Sequence, residues 1–499
     1  MKKFWHFAKT SGIYFAGTVL QKIISFFLLP IYTKYISPKD MGTYDVQLAY
    51  VTFLCSVLFL NIWSGIMRYT FEYKDEERKK PITTGMAIFM SSSVLYTVLF
   101  IAGAFVLNVP YLEWIYLYGI LSNVQTLLGY LARCFGKNAL YATAGLGTSV
   151  VTMAFNVLLI VVFRMDYSAM FISSCIGFLF NAIVLGIGIR FDKLISIKAF
   201  DFDLFKRLII FSIPLCLNSI AFWFLTAYSR VAISNILGEE QNGMYAIAGK
   251  FSSFITLFTT CFNLAWQEIT YVTEANVNDD RKGFYTQAIN YYMRFLGMGV
   301  LLLIPVVYVI YPFFINESYS AAKVYVPLYL FATIASVISE FLGEIFTATK
   351  MNKYLFWTTV TSGTLNVISV HVLIPILGVQ GASLSLLIGF CVNTVMRLII
   401  LRKEISISLD LKFLGFFILL AVVVSMVYIH GAIWSNIISF VIVGVICLFV
   451  FKDILLQILQ SIKLKKNKKA YQKTFNIDAT TTGNKSSKSF ASLRLISIF

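Results

Sequence analysis

The chain has 499 residues, of which 58% are hydrophobic and only 13% charged, with a net charge of +17 and a mean hydropathy of +0.78. Soluble domains put about a quarter of their residues into charge, so a soluble protein is excluded. The composition calls for an all-α polytopic membrane protein, because a helix crosses hydrocarbon with about 20 apolar residues and pairs its backbone internally.

In chain order, the opening MKKFWHFAK followed by an apolar run imitates a signal peptide. Lys22 interrupts that run and no small-residue cleavage site follows, so it reads as a retained first helix. About fourteen spans are expected, over 11–33, 45–67, 82–107, 111–132, 141–163, 168–189, 208–236, 243–267, 285–313, 323–347, 354–377, 381–401, 411–430 and 432–451. Of the 41 Lys and Arg, 32 fall at the termini and in alternate gaps, 4 in the opposite gaps and 5 inside spans. The positive-inside rule then places both termini in the cytoplasm, with Lys39 and Glu317 outside. Five belt positions, Trp63, Trp114, Trp266, Trp357 and Trp434, fall near span ends.

The basic charge sits beside membrane helices, where anionic inner-leaflet lipids attract it, so no nucleic-acid partner is inferred. The run Lys463–Lys469 opens a tail rich in Lys, Ser, Thr and Asn, over 453–499, that is expected to be disordered and cytoplasmic. The seven cysteines show no CxxC pair and read as structural thiols. His6, His371 and His430 are too scattered for a metal site. Neither a Gly-rich phosphate loop nor a hydrolase motif is present, so no catalytic residue and no cofactor is assigned. Energy for any transport must come from a gradient or from the substrate.

A weak internal repeat runs through the chain. Gly42–Tyr44 follows PIYTKYISPKDM, and Gly243–Tyr245 follows ILGEEQN at an offset of 201 residues. GKNALY at Gly136–Tyr141 and TKMNKY at Thr349–Tyr354 match at an offset of 213. Two six-helix lobes in parallel orientation are expected, over 1–200 and 201–405, with two further helices over 406–452.

Ser11–Val46, Arg68–Lys80, Asn242–Phe254 and Pro375–Phe390, in that order, resemble Wzx-type oligosaccharide-lipid flippases of the polysaccharide-transporter branch of the MOP superfamily. The resemblance covers about residues 1–450. It implies a MATE-like two-lobed fold with a central cavity, and export of an undecaprenyl-pyrophosphate-linked sugar repeat unit for O-antigen, capsule or exopolysaccharide. It also implies a bacterial cytoplasmic membrane location, and a polysaccharide polymerase and a chain-length regulator as partners.

Ionisable residues inside spans speak to mechanism independently. A charge at the bilayer centre costs about 2.5–3.5 kcal/mol even on the lenient insertion scale, so such residues face a cavity or a partner. Lys22, Arg230, Lys250 and Arg294 sample different depths and are the candidate cavity cations for a pyrophosphate. Arg397 and Arg68, near cytoplasmic ends, read as snorkelling or locally paired. Glu340 and Glu344 stand one turn apart, either as a proton or cation site coupling transport to a gradient or as salt-bridge partners of Arg294 or another cation. Tyr14, Tyr32 and Asn218 are candidates for sugar contacts.

Two transport alternatives remain. A MATE-like cation or drug antiporter predicts twelve spans and a carboxylate-rich cavity. A peptidoglycan-precursor flippase predicts an arginine-rich signature that the first lobe lacks. A membrane glycosyltransferase or polymerase would need a large external loop, and the longest external gap is about a dozen residues.

Overall fold

Apolar runs too long for one turn of a soluble core become helices here, because inside hydrocarbon the helix satisfies each backbone group within its own segment. The computed structural model describes residues 26–275 and 281–452. Lys22, most of the first expected span and the tail from 453 lie outside the described residues. In chain order the α-helices are α1 Leu29–Tyr35, α2 Pro38–Leu58, α3 Ile62–Glu72, α4 Lys79–Val106, α5 Leu112–Cys134, α6 Asn138–Asn156, α7 Ser168–Ile189, α8 Phe202–Thr226, α9 Tyr228–Leu237 and α10 Glu239–Lys250. They continue as α11 Ser252–Ala275, α12 Arg281–Phe314, α13 Val326–Ala348, α14 Asn352–Leu377, α15 Val379–Ile405, α16 Leu411–His430 and α17 Ile433–Val450. Among the described residues, 11 helical stretches are long and apolar enough to cross a membrane. The protein is an all-α, multi-pass membrane protein.

Several expected spans are corrected. The helix expected over 45–67 begins at Pro38, where the Ser37 hydroxyl accepts the Asp40 N–H at 3.1 Å. It breaks at Leu60 and Asn61, both at φ +54°, before α3. Lys39 and Asp40 hid the true start, since polar residues in a first helical turn depress local hydropathy. The span expected over 208–236 is two helices parted at Ala227, and that over 243–267 is parted at Phe251. The helix over 111–132 forms, as α5, but is not among the 11 apolar stretches. Discontinuous helices are a mark of transporters, whose freed backbone groups line polar sites.

Among the described residues, 26–258, Tyr311–Ser339 and Met351–Arg397 form one compact unit. The described residues of 259–310, Glu340–Lys350 and 398–452 form a second. In the first unit, Ala232, Ile233, Tyr245, Tyr329, Val370, Ile374, Val379 and Ala382 close a core between helix segments of the second half of the chain. In the second, Trp266, Phe341 and Tyr292 stack with centroids 4.3 Å apart at each step, and the Trp266 indole donates to the Phe341 carbonyl at 3.2 Å. Trp266 is therefore a core residue at 1% exposure, not a belt residue; Trp357 and Trp434 are exposed. Its position near a span end concealed a partner that only packing supplies.

The matched repeats meet in the first unit. A Cβ at Gly42 would stand 1.7 Å from the Glu239 carbonyl oxygen, and a Cβ at Gly243 would stand 1.9 Å from the Pro38 carbonyl oxygen. Gly42 and Gly243 are related by the offset of 201 residues, and so are Pro38 and Glu239. Each glycine thus abuts the counterpart of its own helix start, the reciprocity of an isologous contact about a two-fold axis. Only glycine permits two helix backbones to come this close.

Candidate functional site

The crossing of α2 and α10 leads along α2 into a polar site. At 1.5 Å per residue, Asp45 lies about 4–5 Å beyond Gly42 along the axis, and Thr52 about 10 Å beyond Asp45. The Asp45 carboxylate pairs with the Arg230 guanidinium, Oδ2 to Nε 2.9 Å, with side-chain exposures of 14% and 27%. Arg230 also donates from Nη1 to the Thr226 carbonyl at 3.3 Å, where the break at Ala227 ends α8. Asn242 on α10 donates to the Gly42 carbonyl at 3.0 Å and reaches Asp45 Oδ2 at 3.5 Å, tying the ion pair to the crossing.

Lys250 ends α10, is exposed, and stands within electrostatic reach of Asp45 and Arg230. Among the described residues it makes no salt bridge or hydrogen bond. Asp45, Arg230 and Lys250 therefore leave one positive charge uncompensated. Tyr245 and Tyr329, with centroids 5.1 Å apart, pack in the core that holds Ala232 and Ile233 of α9, the helix that carries Arg230.

Below the pair, a cavity of about 350 Å³ opens between α2 and α8. It is lined by Thr52, Ser56, Asn218, Ser219, Phe222 and Trp223, with Thr226 and Ala227. The four hydroxyls each donate to carbonyls of their own helices at 2.8–3.0 Å, so their lone pairs remain as acceptors. The side-chain amide of Asn218, one turn past the in-helix Pro214, has no hydrogen-bond partner among the described residues. Trp223 is fixed by its indole N–H on the Ala49 carbonyl at 3.0 Å and by Phe53, 4.6 Å away between centroids. Hydroxyls, an amide and aromatic faces suit a neutral, hydroxyl-bearing ligand.

The other sequence candidates belong to the second unit. Arg294 on α12 pairs with Asp410, whose Oδ1 caps α16 by accepting the Phe413 N–H at 3.0 Å. Asn290 holds the same turn, donating to the Ser408 carbonyl at 3.0 Å and accepting the Asp410 N–H at 2.9 Å. The Arg294 hydrogen bond holds the Asp410 carboxyl below the usual carboxylate range. Glu344 accepts the Gln267 side-chain N–H at 3.0 Å and is half-buried, while Glu340 is exposed. The structure thus brings Arg230 and Lys250 together with Asp45, and groups Arg294, Glu340 and Glu344 in a different unit.

Arg397 departs from the snorkelling reading. It is only 5% exposed, with Nη1 on the Ser339 carbonyl and hydroxyl, Nε on the Thr358 hydroxyl at 3.2 Å and Nη2 on the Thr359 hydroxyl at 3.2 Å. Asn393 completes the cluster, accepting from the Ser339 hydroxyl at 2.9 Å. Arg68 pairs locally with Glu72 at 3.9 Å and lies over the Phe211 ring at 4.7 Å. Sequence reasoning missed Asp45 and Trp223. Asp45 is an acid at a span edge, and its signal is its place three residues after the repeated glycine.

Long helices, one of them broken at Ala227 beside a polar cavity, and a reciprocal repeat contact define a multi-pass membrane protein. A family model described as polysaccharide biosynthesis protein matches residues 7–267, more than half of the chain, and the chain belongs to that family. A protein of the Lsg locus of Haemophilus influenzae is 22% identical over 266 residues, 52% of this chain; the chain spans 64% of that relative's length. Among solved structures, the lipid II flippase MurJ in an inward closed conformation is similar with a TM-score of 0.70 at 15% identity, over 89% of this chain and 99% of that one. An inward-facing multidrug resistance MATE family transporter of the MOP superfamily gives 0.59 at 13% identity, over 79% and 98%.

Proposed function

We propose that the protein flips an undecaprenyl-pyrophosphate-linked oligosaccharide repeat unit across the bacterial cytoplasmic membrane for surface polysaccharide assembly. The observation that carries this reading is the neutral hydroxyl-, amide- and aromatic-lined cavity with Arg230 at its Thr226 edge and Lys250 within electrostatic reach of that guanidinium. Sugar hydroxyls fit the former, and a diphosphate fits the latter, since Arg supplies a fork and Lys a point charge. Family membership and a fold like that of a lipid II flippase support it.

In this reading the lobes 1–200 and 201–405 alternate access, both termini face the cytoplasm, and the Pro38 and Glu239 ends of α2 and α10 face outward. Lys22 and Arg294 serve as further cations along the path, and Glu340 or Glu344 as the coupling carboxylate. Anionic inner-leaflet lipids, a polymerase and a chain-length regulator are its partners. Deleting the gene should remove surface polysaccharide and leave the lipid-linked repeat unit accumulating; wild type should restore it, and Arg230→Ala at equal protein level should not. A deletion strain with normal surface polysaccharide but heightened drug sensitivity would replace this reading by a drug antiporter.

A further inference from the structure

We propose that Asp45 is a built-in anion that occupies Arg230 until a phosphoryl anion of the substrate replaces it, and that this exchange releases the Gly42–Gly243 crossing. The proposal rests on the flippase reading for the identity of that anion. Three placements carry it. The order along α2 is crossing, ion pair, then cavity, so a group leaving the cavity toward the crossing meets Arg230 first.

Asp45 also holds Arg230 loosely. One carboxylate oxygen meets Nε, Nη1 turns to the Thr226 carbonyl beside the cavity, and Nη2 has no partner among the described residues. A phosphate can accept two parallel donors from one guanidinium, a stronger arrangement than a single contact. It also brings a second negative charge within electrostatic reach of Lys250, where Asp45 supplies one for two cations. An anion carrying two charges thus binds the pair of cations better than the resident carboxylate does.

Asn242 transmits the exchange. Its amide bonds the Gly42 carbonyl and reaches the same Asp45 oxygen that Arg230 holds. Once displaced, the carboxylate is left beside the close backbone contact with no cation, and an uncompensated charge there favours separation and hydration. A ligand shifts such an equilibrium only by binding its two states differently. Here the difference is access to Arg230: it is occupied by Asp45 when the crossing is closed and open when it is not. Substrate binding alone then supplies a step that needs no ion gradient.

The test uses the full chain with native cysteines replaced, spin-labelled at Lys39→Cys and Glu240→Cys, two exposed positions related by the same 201-residue offset. Distances are measured by electron–electron double resonance in phosphatidylcholine nanodiscs. Inorganic pyrophosphate should lengthen the distance in the wild type. Asp45→Asn should lengthen it without pyrophosphate and bind pyrophosphate about tenfold more tightly, the equivalent of about 1.4 kcal/mol. Lys250→Ala, which leaves the pair and the crossing intact, should stay closed and need about tenfold more pyrophosphate; it decides the matter even where Asp45→Asn does not fold.

An unchanged distance in Asp45→Asn together with no response of the wild type to pyrophosphate would overturn the latch. Lengthening in phosphatidylglycerol nanodiscs without pyrophosphate would instead assign the displacing anion to bulk lipid and overturn the substrate assignment. The flippase reading is scored separately, by surface polysaccharide in the deletion strain, so either can fail without the other.

Discussion

Replacing Gly42 by Ala should force α2 and α10 apart. The added Cβ would lie 1.7 Å from the Glu239 carbonyl oxygen, and real Cβ atoms do not come within 3.0 Å of such a neighbour, so the backbones must separate by at least about 1.3 Å. Neither partner can yield alone, because the obstructing atoms are backbone of the facing helix, and the reverse contact at Gly243 is equally closed. Overpacking of this kind costs about 1–3 kcal/mol in the state that contains it. A state with the helices parted bears none of that cost, while the better helix propensity of Ala favours both states alike. A bias of about 1–3 kcal/mol toward the parted state corresponds to roughly 5- to 150-fold. The assay is reaction of a cysteine at Lys39 with an impermeant maleimide in cells, alongside thermal unfolding of purified protein. Faster labelling with a preserved fold is the expected outcome, and Gly243→Ala should match it. Because both residues serve one contact, the double variant should fall short of the summed effect. Unchanged labelling and unchanged stability in both single variants would refute the close crossing.

Three further outcomes follow from local geometry. Arg397→Lys should lower stability by about 1–3 kcal/mol in a thermal-shift measurement, since an ammonium cannot span Ser339, Thr358 and Thr359 at once and leaves buried hydroxyls short of a donor. Asp410 has its folded carboxyl pKa below the unfolded value, so its stabilisation is full above that unfolded value, about pH 4, and is lost as pH falls through the folded one. Melting temperature should accordingly decline less on acidification in Asp410→Asn than in wild type, and equal slopes would remove Asp410 from the account. Lys350 sits at φ +62° without being glycine, so Lys350→Gly should raise stability by up to about 1 kcal/mol despite the entropy glycine adds to the unfolded chain; a drop would show that the side chain holds that turn.

Sequence by itself determined the material of this protein. Apolar run length and low charge required membrane helices, the order of loose motifs carried the family, and the offset of 201 residues marked two glycines that turn out to touch. Those features are legible because hydrocarbon imposes one local rule, backbone pairing within a segment, on every span. Sequence also singled out Arg230 and Lys250 as costly charges without being able to place them side by side. What completes their setting is non-local: Asp45 comes from a helix 185 residues earlier in the chain than Arg230. The breaks at Leu60, Ala227 and Phe251 were equally invisible, since hydropathy averages over them and the polar partners that satisfy broken backbone lie on other helices. Arg397 and Trp266 show the same limit. Each occupies a span end, where snorkelling or interfacial anchoring is the local expectation, and each is drawn inside because a neighbouring helix offers carbonyls, hydroxyls or a ring at bonding distance. A side chain's depth follows from its own segment, whereas its partner depends on which segments pack together, and only the tertiary structure decides that.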